Sequence, residues 1–309
     1  MSGSAVLKTH AAGLDFQNPI LLAAGTAAYG RELAGVMSLD RLGGIVTKAV
    51  SLEPRPGAPS PRVAEFDGGM INAVGLANPG ADEVKANELP WLARELKHAR
   101  VIVNVIGRIV EDFGDVVARL DDSEGLDAYE LNVSCPNTRA GGLEFGADAA
   151  SLTAVVTRAR AATRRPLFVK LSPTLPDIGF TARVATDAGA DGISVVNTMP
   201  GLVIDLDTRK PKLGFGSGGV SGPGLRPVGV LATWKVRKAV SVPIIGLGGV
   251  GSAEDALQYI LAGATLVAVG TAALANPRVP ETIVLDLTAW CAKNGVARLG
   301  DLSGALDWK

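Results

Sequence analysis

Short apolar runs recur along the chain, each ending in a small or polar residue and most followed by a helix-compatible stretch. They are PILLAA (19–24), GIVTKA (44–49), VIVNVI (101–106), YELNVS (129–134), LFVKLS (167–172), GISVVN (192–197), VPIIGL (242–247) and TLVAVG (265–270). Their apolar character is continuous rather than alternating, which predicts strands covered on both faces, as in a parallel sheet. Eight such strands separated by helices fit a closed (β/α)8 TIM barrel better than an open doubly wound sheet. The connectors agree. DAGADG (187–192) and LAGATL (261–266) place glycine where a helix ends, while Asp177 and Ser252 stand where N-caps are needed.

Two connections are too long for one helix. Residues 50–82 are rich in proline and glycine and precede a helix expected around Glu83 to His98, and residues 198–218 form a second excursion. Loops of that length in a compact domain are functional or paired into hairpins. Both are placed on the carboxyl face of the barrel, as insertions forming one roof over it. The segment from Pro280, with Leu285, Leu287, Trp290 and Cys291 at helical spacing, reads as the last barrel helix with Cys291 in packing. Residues 1–309 are read as a single domain.

Composition narrows the function classes. Of 309 residues 47% are hydrophobic and 20% charged, enough to bury a large core, and the formal net charge of -1 comes without any basic cluster. A nucleic-acid partner is not expected. The N-terminus carries no export or organelle signal, and no apolar run approaches the ~20 residues of a membrane span, so the expectation is a soluble, cytoplasmic protein without a membrane partner. Two cysteines and two histidines offer neither a disulfide framework nor a metal centre, and without a CxxC the chain cannot hold an iron–sulfur cluster by itself.

Chemistry concentrates at the strand ends. The stretch LNVSCPNT (131–138) brackets the thiol of Cys135 with the amides of Asn132 and Asn137 around a proline-fixed turn, directly behind a strand. Most free cysteines are small buried hydrophobes, but this polar company is costly in a core and useful around a planar polar ligand. Lys48, Asn104, Asn132, Lys170 and Asn197 end five separate strands. Amides where a metalloenzyme would offer carboxylates and histidines suit a planar heterocycle, and Lys170 is placed to hold negative charge on a reduced flavin. Glycine-rich turns GVSGPG (219–224), GLGGVG (246–251) and VGTAAL (269–274) follow late strands. The second is a literal GxGxxG, but no acidic residue ends the next strand and the motif does not open a βαβ unit, so a dinucleotide fold is rejected. Gly248, Gly249, Gly270 and Thr271 read instead as a cup for one phosphate, which points to a mononucleotide.

Six ordered segments, TKAVSLEPRPGAPSPR (47–62), GMINAVGLANPG (69–80), ELNVSCPN (130–137), VKLSP (169–173), VVNT (195–198) and GLGGV (246–250), resemble the dihydroorotate dehydrogenase family over nearly the whole chain. Cysteine rather than serine in NVSCPN is similar to the soluble class, and GMINAVGLANPG looks most like the catalytic subunit of its NAD-linked branch, class 1B. The resemblance implies FMN in the barrel mouth. Thr47, Lys48, Asn104, Asn132, Lys170 and Val196 would surround its ring and ribityl chain, and Gly222, Gly248, Gly249, Gly270 and Thr271 its phosphate. Relatives often carry a serine where this chain has Ala24, so Ala23, Ala24 and Gly25 are left only backbone contacts. Dihydroorotate would meet Lys48, Asn72, Ala73, Val74, Gly75, Leu76, Asn132, Asn137, Asn197 and Thr198.

By the same resemblance Cys135 is the base that takes a proton from carbon 5 while hydride leaves carbon 6 for the flavin, giving orotate for pyrimidine (UMP) biosynthesis. The loop from Pro136 to Gly146, with Gly141 and Gly142, is a candidate lid. A homodimer core flanked by partner subunits, which carry FAD and a [2Fe–2S] cluster and pass electrons to NAD, completes the implied assembly as a heterotetramer. Three other readings stay open: a fumarate-linked enzyme without a partner, a related barrel acting on reduced uracil or thymine, and a catalytically silent FMN-binding scaffold.

Overall fold

The eight apolar runs become eight parallel strands, β1 (Ile20–Leu22), β2 (Gly44–Val46), β3 (Arg100–Val105), β4 (Ala128–Asn132), β5 (Leu167–Leu171), β6 (Gly192–Val195), β7 (Ile244–Leu247) and β8 (Leu266–Val269). Each pairs with its neighbours in chain order, and β8 returns to β1 through Val267 opposite Ile20, closing the barrel. The structure is a computed structural model and describes residues 3–134 and 144–308.

Strand alternation divides the buried side chains into two cores. Residues such as Ile45, Val103, Leu131, Val169, Ile193 and Val267 pack outward against the helices, among them Phe113, Val116 and Val117 of helix Val110–Leu120. The inward set is Leu21, Ala23, Val46, Ile102, Ala128, Phe168, Ile245, Leu247, Leu266 and Ala268, which forms a second cluster inside the barrel. Burying a side chain of this size contributes about 1.5–3 kcal/mol, so the interior is a packed core and not a channel. An antiparallel hairpin, Thr9–Ala11 with Leu14–Phe16, adds Ala11 and Phe16 to this interior cluster and plugs the end where the strands begin.

The opposite end is covered by the two excursions. Strands Val63–Phe66 and Gly69–Asn72 from the first, and Met199–Gly201 and Gly218–Ser221 from the second, form one four-stranded antiparallel sheet. Asn72 stands opposite Gly219 and Ile71 opposite Val220, so the expected single roof is a sheet shared by both insertions.

The expected caps are in place. Asp177 accepts the Phe180 N–H, and Ser252 accepts the Asp255 N–H while the Asp255 side chain accepts the Ser252 N–H, a capping box. Gly263 ends that helix, Ala253–Ala262, at φ +117, and Gly189 follows the helix that Asp177 caps, Ile178–Asp187, at φ +112, conformations that glycine adopts without a Cβ penalty.

Three expectations need correcting. The helix placed around Glu83 to His98 begins at Ala81, passes through a π turn over Val84–Glu88 and ends at Glu95, because His98 is engaged by Asp40 instead. GVSGPG does not follow a barrel strand: its first three residues lie in the roof strand Gly218–Ser221, which pairs with Gly69–Asn72. In the last helix, Val279–Lys293, Leu287 and Cys291 are buried but Leu285 is 66% exposed, two positions off the packed stripe.

Candidate functional site

Two residues beyond the apolar interior, the same inward-facing positions turn polar. Val46 is followed on that face by Lys48, Ile102 by Asn104, Ala128 by Glu130 and then Asn132, and Phe168 by Lys170. Between these strand ends and the roof lies a cavity of about 1110 Å³. Lys48, Asn104, Asn132, Lys170, Val196, Asn197 and Thr198 form its floor and one wall, Ala24 and Gly25 another, and Asn72 to Leu76 the roof side. Gly222, Gly248, Gly249, Gly270 and Thr271 gather at the far end.

Among the described residues, Thr47 alone of the expected set does not line this space. Alternation turns Val46 and Lys48 inward and Thr47 away, and its hydroxyl donates to Lys48 O at 3.0 Å and accepts the Asn104 N–H at 3.3 Å. It braces two strand ends from behind. Cys135 and Asn137, together with residues 136–143 of the expected lid, lie outside the described residues.

The floor is organised by amides. Asn104 donates from Nδ2 to Glu130 Oε1 at 2.7 Å, and its own Oδ1 is buried with no partner. A carboxylate can only accept, so Glu130 dictates which end of the Asn104 amide is left over: an acceptor. Asn132 Oδ1 accepts from the Ser134 N–H and from Asn197 Nδ2, both at 3.3 Å, tying the ends of β4 and β6 together. Asn197 Oδ1 in turn accepts the Thr198 N–H at 2.8 Å. In the roof, Asn72 Nδ2 donates to Gly219 O at 3.2 Å, and Thr271 donates to Ser221 Oγ at 2.6 Å.

Lys170 is 6% exposed, and among the described residues no carboxylate lies within ion-pair distance of it or of Lys48. A buried ammonium without a counter-charge is costly, and a negatively charged or electron-rich ligand in the cavity offsets that cost. Arg226 also lines the cavity but is paired with Asp255, whose other oxygen accepts the N–H groups of Gly251 at 2.9 Å and Ser252 at 3.1 Å.

The glycine end is shaped for a close approach. Gly249 sits at φ +68, and a Cβ there would fall 2.7 Å from Gly222 O and 2.8 Å from Arg226 N. None of the N–H groups of Gly249, Val250 and Gly270 reaches a protein acceptor among the described residues. At the roof edge Leu76 lines the cavity at φ +59, a left-handed conformation that costs a non-glycine residue roughly 1–2 kcal/mol. The Val195–Val196 peptide at the floor is cis, and the Val196 N–H donates to Leu247 O at 3.1 Å.

Several further groups line or support the site beyond those expected from the sequence, namely Glu130, Ser221, Arg226, Asp255 and the roof residues Phe66 and Met70. Two signals were available. Glu130 precedes Asn132 by two residues on one strand and shares its face, and Asp255 follows Ser252 at capping-box spacing.

The profile of one family, dihydroorotate dehydrogenase, matches residues 6–290. A relative from Pelobacter propionicus, the dihydroorotate dehydrogenase B (NAD(+)) catalytic subunit, is 46% identical over 296 residues, covering 96% of this chain and 97% of its own. The protein of the same name from Desulforudis audaxviator is 46% identical over 294 residues, 95% of each chain. The chain belongs to the dihydroorotate dehydrogenase family. A solved family structure, DHODH from Eimeria tenella in complex with ferulenol, superposes with a TM-score of 0.83 over 98% of this chain and 89% of that one; at 24% identity it speaks for the shared fold. Among the described residues no group of three or more histidines, cysteines, aspartates or glutamates is placed to hold a metal ion, and no helix is long and apolar enough to cross a membrane.

Proposed function

We propose that this chain is the catalytic subunit of an NAD-linked dihydroorotate dehydrogenase, a single FMN-binding barrel that oxidises dihydroorotate to orotate in the cytoplasm. The observation that carries this reading is the cavity at the carboxyl ends of the strands, where residues from all six of the segments that carry the family resemblance converge. Two features of it fit FMN. The orphaned, buried Oδ1 of Asn104 offers an acceptor suited to a ring N–H, and the N–H groups of Gly249, Val250 and Gly270, without a protein acceptor among the described residues, are donors suited to a phosphate.

FMN supplies, when bound, the hydride acceptor of the oxidation. Asn104, Asn132, Lys170 and Val196 would hold its ring, and Gly222, Gly248, Gly249, Gly270 and Thr271 its phosphate. The protein's own work is then to bind and orient the substrate and to remove a proton. Lys48 would pair with the substrate carboxylate while Asn72, Asn132, Asn137, Asn197 and Thr198 meet its ring polar groups. Cys135 takes the proton from carbon 5; a thiol has an ordinary pKa of about 8.5, close enough to neutrality for it to serve as a base. The roof sheet covers the strand ends at which the substrate would bind. Electrons leave through a partner subunit carrying FAD and a [2Fe–2S] cluster, two of which flank a homodimer of this chain.

The test is spectroscopic. The purified protein is expected to be yellow and to be bleached by dihydroorotate under anaerobic conditions; a colourless protein that added FMN does not restore overturns the reading. Tight binding of orotate with weak binding of uracil sets it apart from a barrel acting on reduced uracil. Turnover with NAD that requires the partner subunit, against none with fumarate, identifies the acceptor.

A further inference from the structure

The loop after β7 poses a question of direction. A trans peptide presents its C=O and N–H on opposite sides, so the way the Gly248 carbonyl points decides where the Gly249 N–H points. Both glycines have positive φ, +118 and +68, and a glycine pair turns over with little resistance. Something else must set the orientation of that peptide.

Tyr259, fully buried in helix Ala253–Ala262, lies directly behind it. Its hydroxyl donates to Gly248 O at 2.6 Å. The ring occupies space that two other glycines leave open: a Cβ at Gly246 would sit 2.5 Å from its Cδ1, and one at Gly229 would sit 2.0 Å from its hydroxyl oxygen. Burial pushes the phenol well above its ordinary range, so it remains a donor. On the other side of the peptide, Gly248 and Gly249 line the cavity, Tyr259 does not, and the Gly249 N–H has no protein acceptor among the described residues.

We propose that Tyr259 is a positioning residue for the phosphate end of the cofactor site: by holding the Gly248 carbonyl from behind, it aims the Gly249 N–H into the cavity at a phosphomonoester. The inference rests on the reading above that this end of the cavity receives the phosphate of FMN. It assigns the tyrosine no contact with ligand.

The experiment uses the full chain stripped of flavin, as wild type and as Tyr259→Phe, which removes only the hydroxyl. Each is titrated with FMN and with riboflavin, which has the same ring and ribityl chain but no phosphate, and flavin fluorescence reports both dissociation constants. The expected result is FMN binding weakened about tenfold, the order of one charge-assisted hydrogen bond, with riboflavin binding unchanged. Unaltered FMN binding overturns the proposal, and so does an equal loss for both ligands or an unfolded variant, because the tyrosine then serves packing alone. If wild type itself fails to prefer FMN over riboflavin, the phosphate reading beneath the proposal fails, independently of any variant.

Discussion

The interior of this barrel has two ends built from the same strands by the same alternation, and they do opposite things. At the end where the strands begin, Leu21, Val46, Ile102, Ala128, Phe168 and Leu266 fill the space with hydrocarbon under the plug of Ala11 and Phe16. Further along the same faces, Lys48, Asn104, Asn132 and Lys170 line a cavity, and Glu130 holds the Asn104 amide from behind. A side chain's distance along its strand, and not the strand it belongs to, decides whether it holds the fold or meets a ligand. The division explains how polar groups that would be ruinous in the lower layer are tolerated only one step above it.

Substitutions at the two ends should therefore separate activity from stability. The largest effect is expected at Cys135, where Cys135→Ala lowers the rate of flavin reduction by dihydroorotate roughly 100- to 10,000-fold while FMN stays bound and the unfolding midpoint holds. Stopped-flow reduction and a denaturation curve measure the two, and full reductive rates remove the thiol from its role. Next comes Phe168→Ala in the lower layer, which should cost about 3–5 kcal/mol of stability with turnover per folded molecule preserved; urea unfolding alongside active-site titration would break the comparison if activity fell as well.

A smaller effect is expected at the lower rim. Burial tends to raise the Asp40 carboxyl, but the backbone N–H groups of Ala99, His98 and Lys97, at 2.7 to 2.9 Å, and His98 Nδ1 at 2.8 Å outweigh it and hold the group below its usual range. A carboxyl depressed in the folded state stabilises above its unfolded pKa, and the stabilisation is lost as pH falls through the lower folded value. Asp40→Ala should thus cost about 1–3 kcal/mol at neutral pH, with the gap to wild type closing below pH ~4; thermal unfolding followed across that range checks it. The smallest effect is set by Leu285, outside both layers, where Leu285→Ser should move stability by no more than about 0.5 kcal/mol. A larger loss in a melting curve would mean that its exposed face is covered by something.

The barrel strands were legible because two-sided burial demands unbroken apolar runs, and the strand-end amides and lysines stood out against them. The roof strands were not. Gly69, Gly218 and Gly219 give them no strand-like composition, and their pairing partners lie far off in the chain, so only the need to occupy long excursions pointed to them. The motif around Thr47 points to the site, although its position between the inward-facing Val46 and Lys48 turns it away. Glu130 is hidden in the sequence for the converse reason. A lone charge inside an apolar run gives no sign of a partner, and its partner, Asn104, is contributed by the neighbouring strand. Leu285 fell off the stripe because the apolar positions of the last helix wrap wider than the face that packs.

The shared roof has a consequence for how the molecule comes into being. Asn72 and Gly219, which join its two halves, are 147 residues apart, and the barrel strands β3 to β6 are all threaded between them. Contacts so distant in the chain are costly to close early, because the loop's entropy must be surrendered before the pairing rewards it. During synthesis the lower layers of β1 to β6 are complete in sequence before the second half of the cover has been made, so competence to enclose a substrate arrives late.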